Sequence, residues 1–156
     1  MVILIVLYIL ILTGGFLIVL GFLLVQGMPA ELAFLKVGLL CTTVGGLGGC
    51  LYCLRAIYLN VAVYKRWSEE WRVWYFLRPL VSAGCGAVSY LFLKAGLLVL
   101  EAGTREGASD LGFCALAFIA GLNVDKFVAK IEDIAQAVWG IEKSRTAKGL
   151  NGEAKP

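Results

Sequence analysis

Met1 to Gln26 carry no charged side chain, and this run limits the chain more than any other feature. At a helical rise of about 1.5 Å per residue it is long enough to cross a hydrocarbon core of about 30 Å. A signal peptide would have a basic n-region, a shorter apolar part and a small-residue cleavage site, and none of these is present. The run reads as a first transmembrane helix over 2–26. Composition agrees. Hydrophobic residues make up 60% of the chain and charged residues 16%, against roughly 25% charged in soluble domains. A mean hydropathy of +0.86 leaves too little polar surface for a water-soluble globule.

Three further spans follow the same logic. A second is expected over 32–54, after the turn Gly27-Met28-Pro29. It should continue as an extension through Tyr64, because no Gly or Pro interrupts the chain between Arg55 and Trp67. The charged stretch Lys65 to Arg72 leads to a third span over 73–100. Pro79 is expected near its start, where a missing amide donor costs least. The polar stretch Glu101 to Asp110 reads as a loop. A fourth span over 111–124 is short, so its helix must run on beyond the membrane or tilt little. The fold class is therefore all-α, an integral-membrane four-helix bundle over 1–122. A cytoplasmic heptad-patterned helix over 123–143 and a disordered polar tail over 144–156 complete the expected organisation.

Charge placement sets the orientation. Arg55, Lys65, Arg66, Arg72 and Arg78 surround the second loop against only Glu69 and Glu70. An excess of lysine and arginine marks the cytoplasmic side. The opposite loops hold Glu31, Glu101, Arg105, Glu106 and Asp110. Both termini then fall in the cytoplasm. Trp67, Trp71, Trp74 and Tyr75 cluster where an interfacial aromatic belt belongs, and Trp71, Trp74 and Arg78 are assigned to the lipid interface; Arg78 can anchor there, bind lipid phosphate or dock on a neighbouring helix end.

Helices in lipid associate through small residues that let backbones approach. Gly38, Thr42, Gly46 and Cys50 recur every four residues in span two, with Gly45 and Gly49 beside them. Ser82 and Gly86 share a face of span three, and Gly14 and Gly21 lie two turns apart in span one. These faces fit packing within one chain or contact between subunits. A second pattern lies in the last helix. Val124, Phe127, Ile131, Ile134, Val138 and Ile141 are spaced three, four, three, four, three, which is an a/d seam. The register extends back through Ala120, Ala117 and Phe113, so one continuous helix could carry the seam from bilayer to cytoplasm. The stripe can join subunits into a homo-oligomer, or pack on the extension Arg55–Tyr64 of its own chain.

Candidate chemistry is sparse. The absence of histidine excludes imidazole-ligated haem, His-based zinc sites and Ser-His catalysis. A net charge of +3 gives no support to nucleic-acid binding. Cys50-Leu51-Tyr52-Cys53 resembles the C-x-x-C of disulfide-generating quinone reductases, but those need a pair at the periplasmic rim and a second pair in an outer loop. Here the pair lies near Arg55, and a thiol in hydrocarbon reacts poorly. Lys36 and Lys94 are the charges inside apolar runs. Each can snorkel to the outer boundary or form a charged pore mouth that favours anions. Asn123 and Asp125 stand at the exit of span four, as cap or partner-contact residues. No phosphate loop, metal set or nucleophile–base pair appears, so neither catalysis nor a cofactor is expected.

Trp74-Tyr75-Phe76-Leu77-Arg78-Pro79-Leu80-Val81, with Phe118-Ile119-Ala120-Gly121-Leu122-Asn123, resembles a pattern in small four-span bacterial membrane proteins of the antiphage-defence type. The chain is similar in size and span number to the membrane subunit of the Kiwa system. The resemblance covers these two stretches. It implies a tetramer acting as membrane sensor or effector with a soluble cytoplasmic partner, and carries over no catalytic residue. The expected function is thus a non-enzymatic oligomeric membrane scaffold. A stand-alone channel or holin-like pore is the alternative, and a membrane thiol oxidoreductase the third.

Overall fold

The computed structural model describes residues 2–25, 32–65, 67, 69–96 and 110–141, with the backbone alone at 33 and 34. These residues form helices and no strand. The order is α1 (Val2–Val25), α2 (Ala33–Tyr58), a π-helical extension (Leu59–Val63), a 3-10 turn (Glu69–Trp71), α3 (Arg72–Lys94), α4 (Asp110–Leu122) and α5 (Val124–Trp139). Val2–Val25, Leu35–Val63 and Glu69–Lys94 are each long and apolar enough to cross a membrane. Asp110–Leu122 passes that test only together with Val124–Trp139. The expected turn at 27–29, the outer-loop charges Glu31, Glu101, Arg105 and Glu106, the end of span three at 97–100 and the tail over 144–156 lie outside the described residues.

Which residues touch fixes the helix directions. Along α2 and α3, Gly38 lies against Tyr90, Gly45 against Gly86 and Gly49 against Ser82 and Pro79, so the two helices are antiparallel. Phe16 meets Gly46, while Ile5 and Ile9 join Cys53 and Ile57, so α1 is also antiparallel to α2. Tyr90 packs edge-on to Phe113, and Ser82 Oγ donates to the Gly121 carbonyl at 2.8 Å, which makes α4 antiparallel to α3. Helix α2 is central, touching α1, α3 and α4.

The closest approach is a meeting of three backbones. A Cβ built on Gly45 would stand 2.7 Å from Gly86 Cα and 2.8 Å from the Ser82 carbonyl oxygen. A Cβ on Gly121 would strike the Gly45 carbonyl, and one on Gly48 would lie 2.6 Å from the Phe118 carbonyl oxygen. Only glycine permits this geometry, in which the backbones gain dispersion contacts directly with one another. The small-residue faces of α2 and α3 therefore pack within one chain. Thr42 lies on that helix with its hydroxyl turned back to the Gly38 carbonyl at 2.8 Å. Gly14 and Gly21 meet nothing within 4 Å, so α1 does not use them for contact inside the chain. Helix α1 exposes Ile3, Leu4, Ile11, Ile18 and Val25, a surface suited to hydrocarbon rather than water.

Two expectations about helix ends need correction. Helix α3 starts at Arg72, so Pro79 lies about two turns in, fully buried, rather than where its missing donor is free of cost. Helix α4 does not continue straight into the last segment. It stops at Leu122, and α5 leaves at 109° to it. Asn123 (φ −120°, ψ 50°) forms the corner. Its amide closes the last turn of α4 on the Ile119 carbonyl at 3.0 Å, and its carbonyl accepts the Phe127 amide of α5 at 2.9 Å. Its side chain bonds back to Ile119 rather than capping α5. The thirteen residues of α4 span about 20 Å, well short of a bilayer core.

Candidate functional site

The corner between α4 and α5 is held by a buried charge. Arg78 is 5% exposed and comes from the second turn of α3, where the close α2–α3 packing around Gly49 and Pro79 turns it inward. Its Nη1 donates to Asp125 Oδ2 at 3.0 Å and to Oδ1 at 3.3 Å. Asp125 is 72% exposed and lies in the first turn of α5, where the helix dipole also favours a carboxylate. The guanidinium stands 4.7 Å from the centre of the Tyr52 ring and 5.3 Å from that of Trp74. Such cation–π contacts contribute roughly 0.5–2 kcal/mol each. Arg78 Nε has no hydrogen-bond partner among the described residues. A cation costs several kcal/mol to bury, so Asp125 and the two rings are needed to hold it there.

This placement corrects the assignment of Arg78 to the lipid interface. Arginine before proline at a membrane boundary reads as an anchor, yet the side chain points into the protein. The aromatic belt changes meaning as well. Tyr75 is fully buried and stacks on Trp67 at 5.6 Å, and Trp74 meets Tyr75 edge-on at 5.0 Å. Trp71 remains half-exposed, in edge contact with Trp74. Tyr52, Trp67, Trp71, Trp74 and Tyr75 thus form a packed cluster beside Arg78. Asn60, in the π-helical turn after α2, donates to the Tyr75 hydroxyl at 3.4 Å.

The seam residues divide. Val124 is buried with Cys85 and Ala120, and Phe127 packs on that group, so the first two positions are used within the chain. Ile131 and Ile134 are half-buried, and Val138 is exposed. Ile141 lies outside the helix, because Gly140 adopts φ +68° and ends α5 at Trp139. The contacts of α5 go chiefly to α3 and α4, not to the extension 55–64 that the spacing suggested. Its apolar stripe is consequently only half satisfied, with Val128 and Trp139 exposed along it.

The remaining candidates are separate from this corner. Lys36 lies in the first turn of α2 and Lys94 ends α3, so antiparallel packing puts both at the end opposite Arg55 and Arg72. Cys41, Cys50 and Cys53 are free thiols with no exposure, Cys85 is buried and Cys114 half-buried. Cys50 and Cys53 pack among Ile5, Ile9 and Ile57 as small apolar residues. Among the described residues no group of His, Cys, Asp or Glu could hold a metal.

Sequence reasoning missed the Arg78–Asp125 pair because forty-seven residues separate the partners. The available signal was a lone arginine inside the predicted third span and an aspartate just beyond the fourth. No family model, curated protein or solved structure matches this chain.

Proposed function

We propose that the protein is a non-enzymatic, homo-oligomeric membrane sensor or effector scaffold that delivers its signal through α5 to a soluble cytoplasmic partner. One observation carries the reading. An amphipathic helix with an unfilled apolar stripe is fastened across the helical body by a buried arginine and a single exposed carboxylate. Displacing α3 against α2 shifts Tyr52 and Trp74, which changes the setting of Arg78 and loosens Asp125. Helix α5 then swings from its corner and uncovers Ile131 and Ile134, beside the already exposed Val138, for a neighbour. The corner begins at the level of Arg78, about 9 Å along α3 from Arg72, which suits a helix lying along the membrane surface in its resting position. The likeness to antiphage-type membrane subunits fits such a device in bacterial defence, in the inner membrane with both termini in the cytoplasm.

The test is the mass of the particle in mild detergent, with chemical crosslinking. A multiple of 16.8 kDa, tetrameric if the likeness holds, is expected. A monomer that persists at high protein concentration overturns the reading. A second reading, a pore with an anion-favouring mouth, is favoured by Lys36 and Lys94 sharing one end of the molecule. Flux through liposomes that contain this chain alone separates the two.

A further inference from the structure

An open groove of about 190 Å³ lies at the basic end of the protein, between the last turns of α2 with its π-helical extension and the start of α3. Tyr52, Arg55, Leu59, Tyr64, Trp71 and Trp74 are prominent in its walls. The chemistry of these walls is one-sided. Among the described residues no carboxylate lines the groove, and its side chains offer a guanidinium, two indole N–H groups, two phenol hydroxyls and the Asn60 amide, which already donates to Tyr75. Arg55 is exposed, and its guanidinium makes no ion pair among the described residues. Behind the groove, Arg78 rests on the rings of Tyr52 and Trp74, so a second cation backs the same wall. The groove is also amphipathic. Leu59 lies within it, and Leu51, Val61 and Val63 are exposed on the same stretch of chain, next to the surface that suits hydrocarbon. The π-helical turn Leu59–Val63 adds a residue to one helical turn, a device often found at binding sites, and turns Asn60 toward Tyr75.

We propose that this groove binds the phosphate headgroup of an anionic membrane phospholipid. Arg55 holds the phosphate through charge-assisted hydrogen bonds, and the Trp71 and Trp74 indoles flank it at the depth where such rings sit in a bilayer. The acyl chains leave over Leu59 and Leu51 into the hydrocarbon. The site stands on the groove alone and does not depend on the role given to α5.

The test uses the full chain in detergent, with native mass spectrometry to count retained lipid. Phosphatidylglycerol, phosphatidylcholine and inorganic phosphate are the probes. One phosphatidylglycerol per chain is expected to outlast the others. Arg55→Gln should weaken its retention about tenfold, the value of one charge-assisted hydrogen bond. Arg55→Lys should recover part of it, and Trp71→Leu should weaken it as well. Both positions are exposed, and circular dichroism verifies that each variant keeps its helices. Lys94→Gln, at the opposite end, should leave retention unchanged. Wild-type retention by Arg55→Gln, or an equal loss in Lys94→Gln, overturns the proposal. Displacement of the lipid by inorganic phosphate at matching concentration overturns it too, because the groove would then serve a soluble anion.

Discussion

Arg78 and Asp125 meet at 3.0 Å across forty-seven residues of chain, joining the interior of α3 to the first turn of α5. The contact is unequal, with a cation shut inside the protein and an anion open to its surroundings. Asp125→Ala should cost about 1–2 kcal/mol, less than a fully buried pair because water can partly replace the carboxylate. The melting temperature in detergent should fall, and hydrogen exchange over 124–139 should rise. Adding Arg78→Met should recover most of the loss, since no cation is then left unpaired. Unchanged exchange in Asp125→Ala would show that the pair does not hold α5.

Gly45→Ala tests the three-backbone meeting. A methyl group there has no space between Gly86 and the Ser82 carbonyl, so a loss of about 1–3 kcal/mol is expected. Gly84 and Gly112 meet nothing within 4 Å. Alanine at either should leave the melting temperature unchanged or raise it slightly. Thermal denaturation of the three variants side by side checks the contrast.

The seam on α5 should respond differently at its two ends. Ile131→Asp with Ile134→Asp removes the half-filled stripe and should reduce the particle to single chains without loss of helix. Val124→Asp puts a carboxylate between Cys85 and Ala120 and should instead destabilise the corner itself. Light scattering and circular dichroism on both variants distinguish a lost subunit contact from a lost internal one. An undiminished mass in the double variant would place the subunit contact elsewhere.

Thiol chemistry provides a fourth check. Maleimide in non-denaturing detergent should modify Cys114 first and leave Cys50 and Cys53 untouched until the protein unfolds, because neither is exposed. Early labelling of the C-x-x-C pair, or its oxidation to a disulfide, would revive the oxidoreductase reading.

Charge reversal at the opposite end addresses conduction. If purified protein carries ions across liposomes, Lys94→Glu should shift preference from anions toward cations, as measured by reversal potential. Unchanged selectivity would remove Lys94 from the mouth of any pore.

The positions of the helices were legible in the chain. The apolar runs over 2–26 and 32–54, the first free of charge and the second holding only Lys36, reappear as α1 and α2, and the extension past Arg55 stays α-helical to Tyr58 and turns π-helical to Val63, one residue before the expected Tyr64. The boundary at Asn123 was legible, as the exit of span four and a candidate cap, but the bend there was not, since the spacing Ala120, Val124, Phe127 suits a straight helix and a bent one equally well. Helix α5 ends at Trp139, short of the expected limit at 143, because Gly140 adopts φ +68°.

What the sequence alone determined is the apolar or polar character of each segment and its helical state. Both depend on residues close along the chain, since backbone hydrogen bonds are local and side-chain polarity is additive. Tertiary structure alone decided that Arg78 faces inward, that Gly45 meets Gly86 and Gly121, and that α5 turns aside at 109°. Those outcomes follow from contacts between distant segments, and spacing along the chain does not encode which face of one helix another will meet.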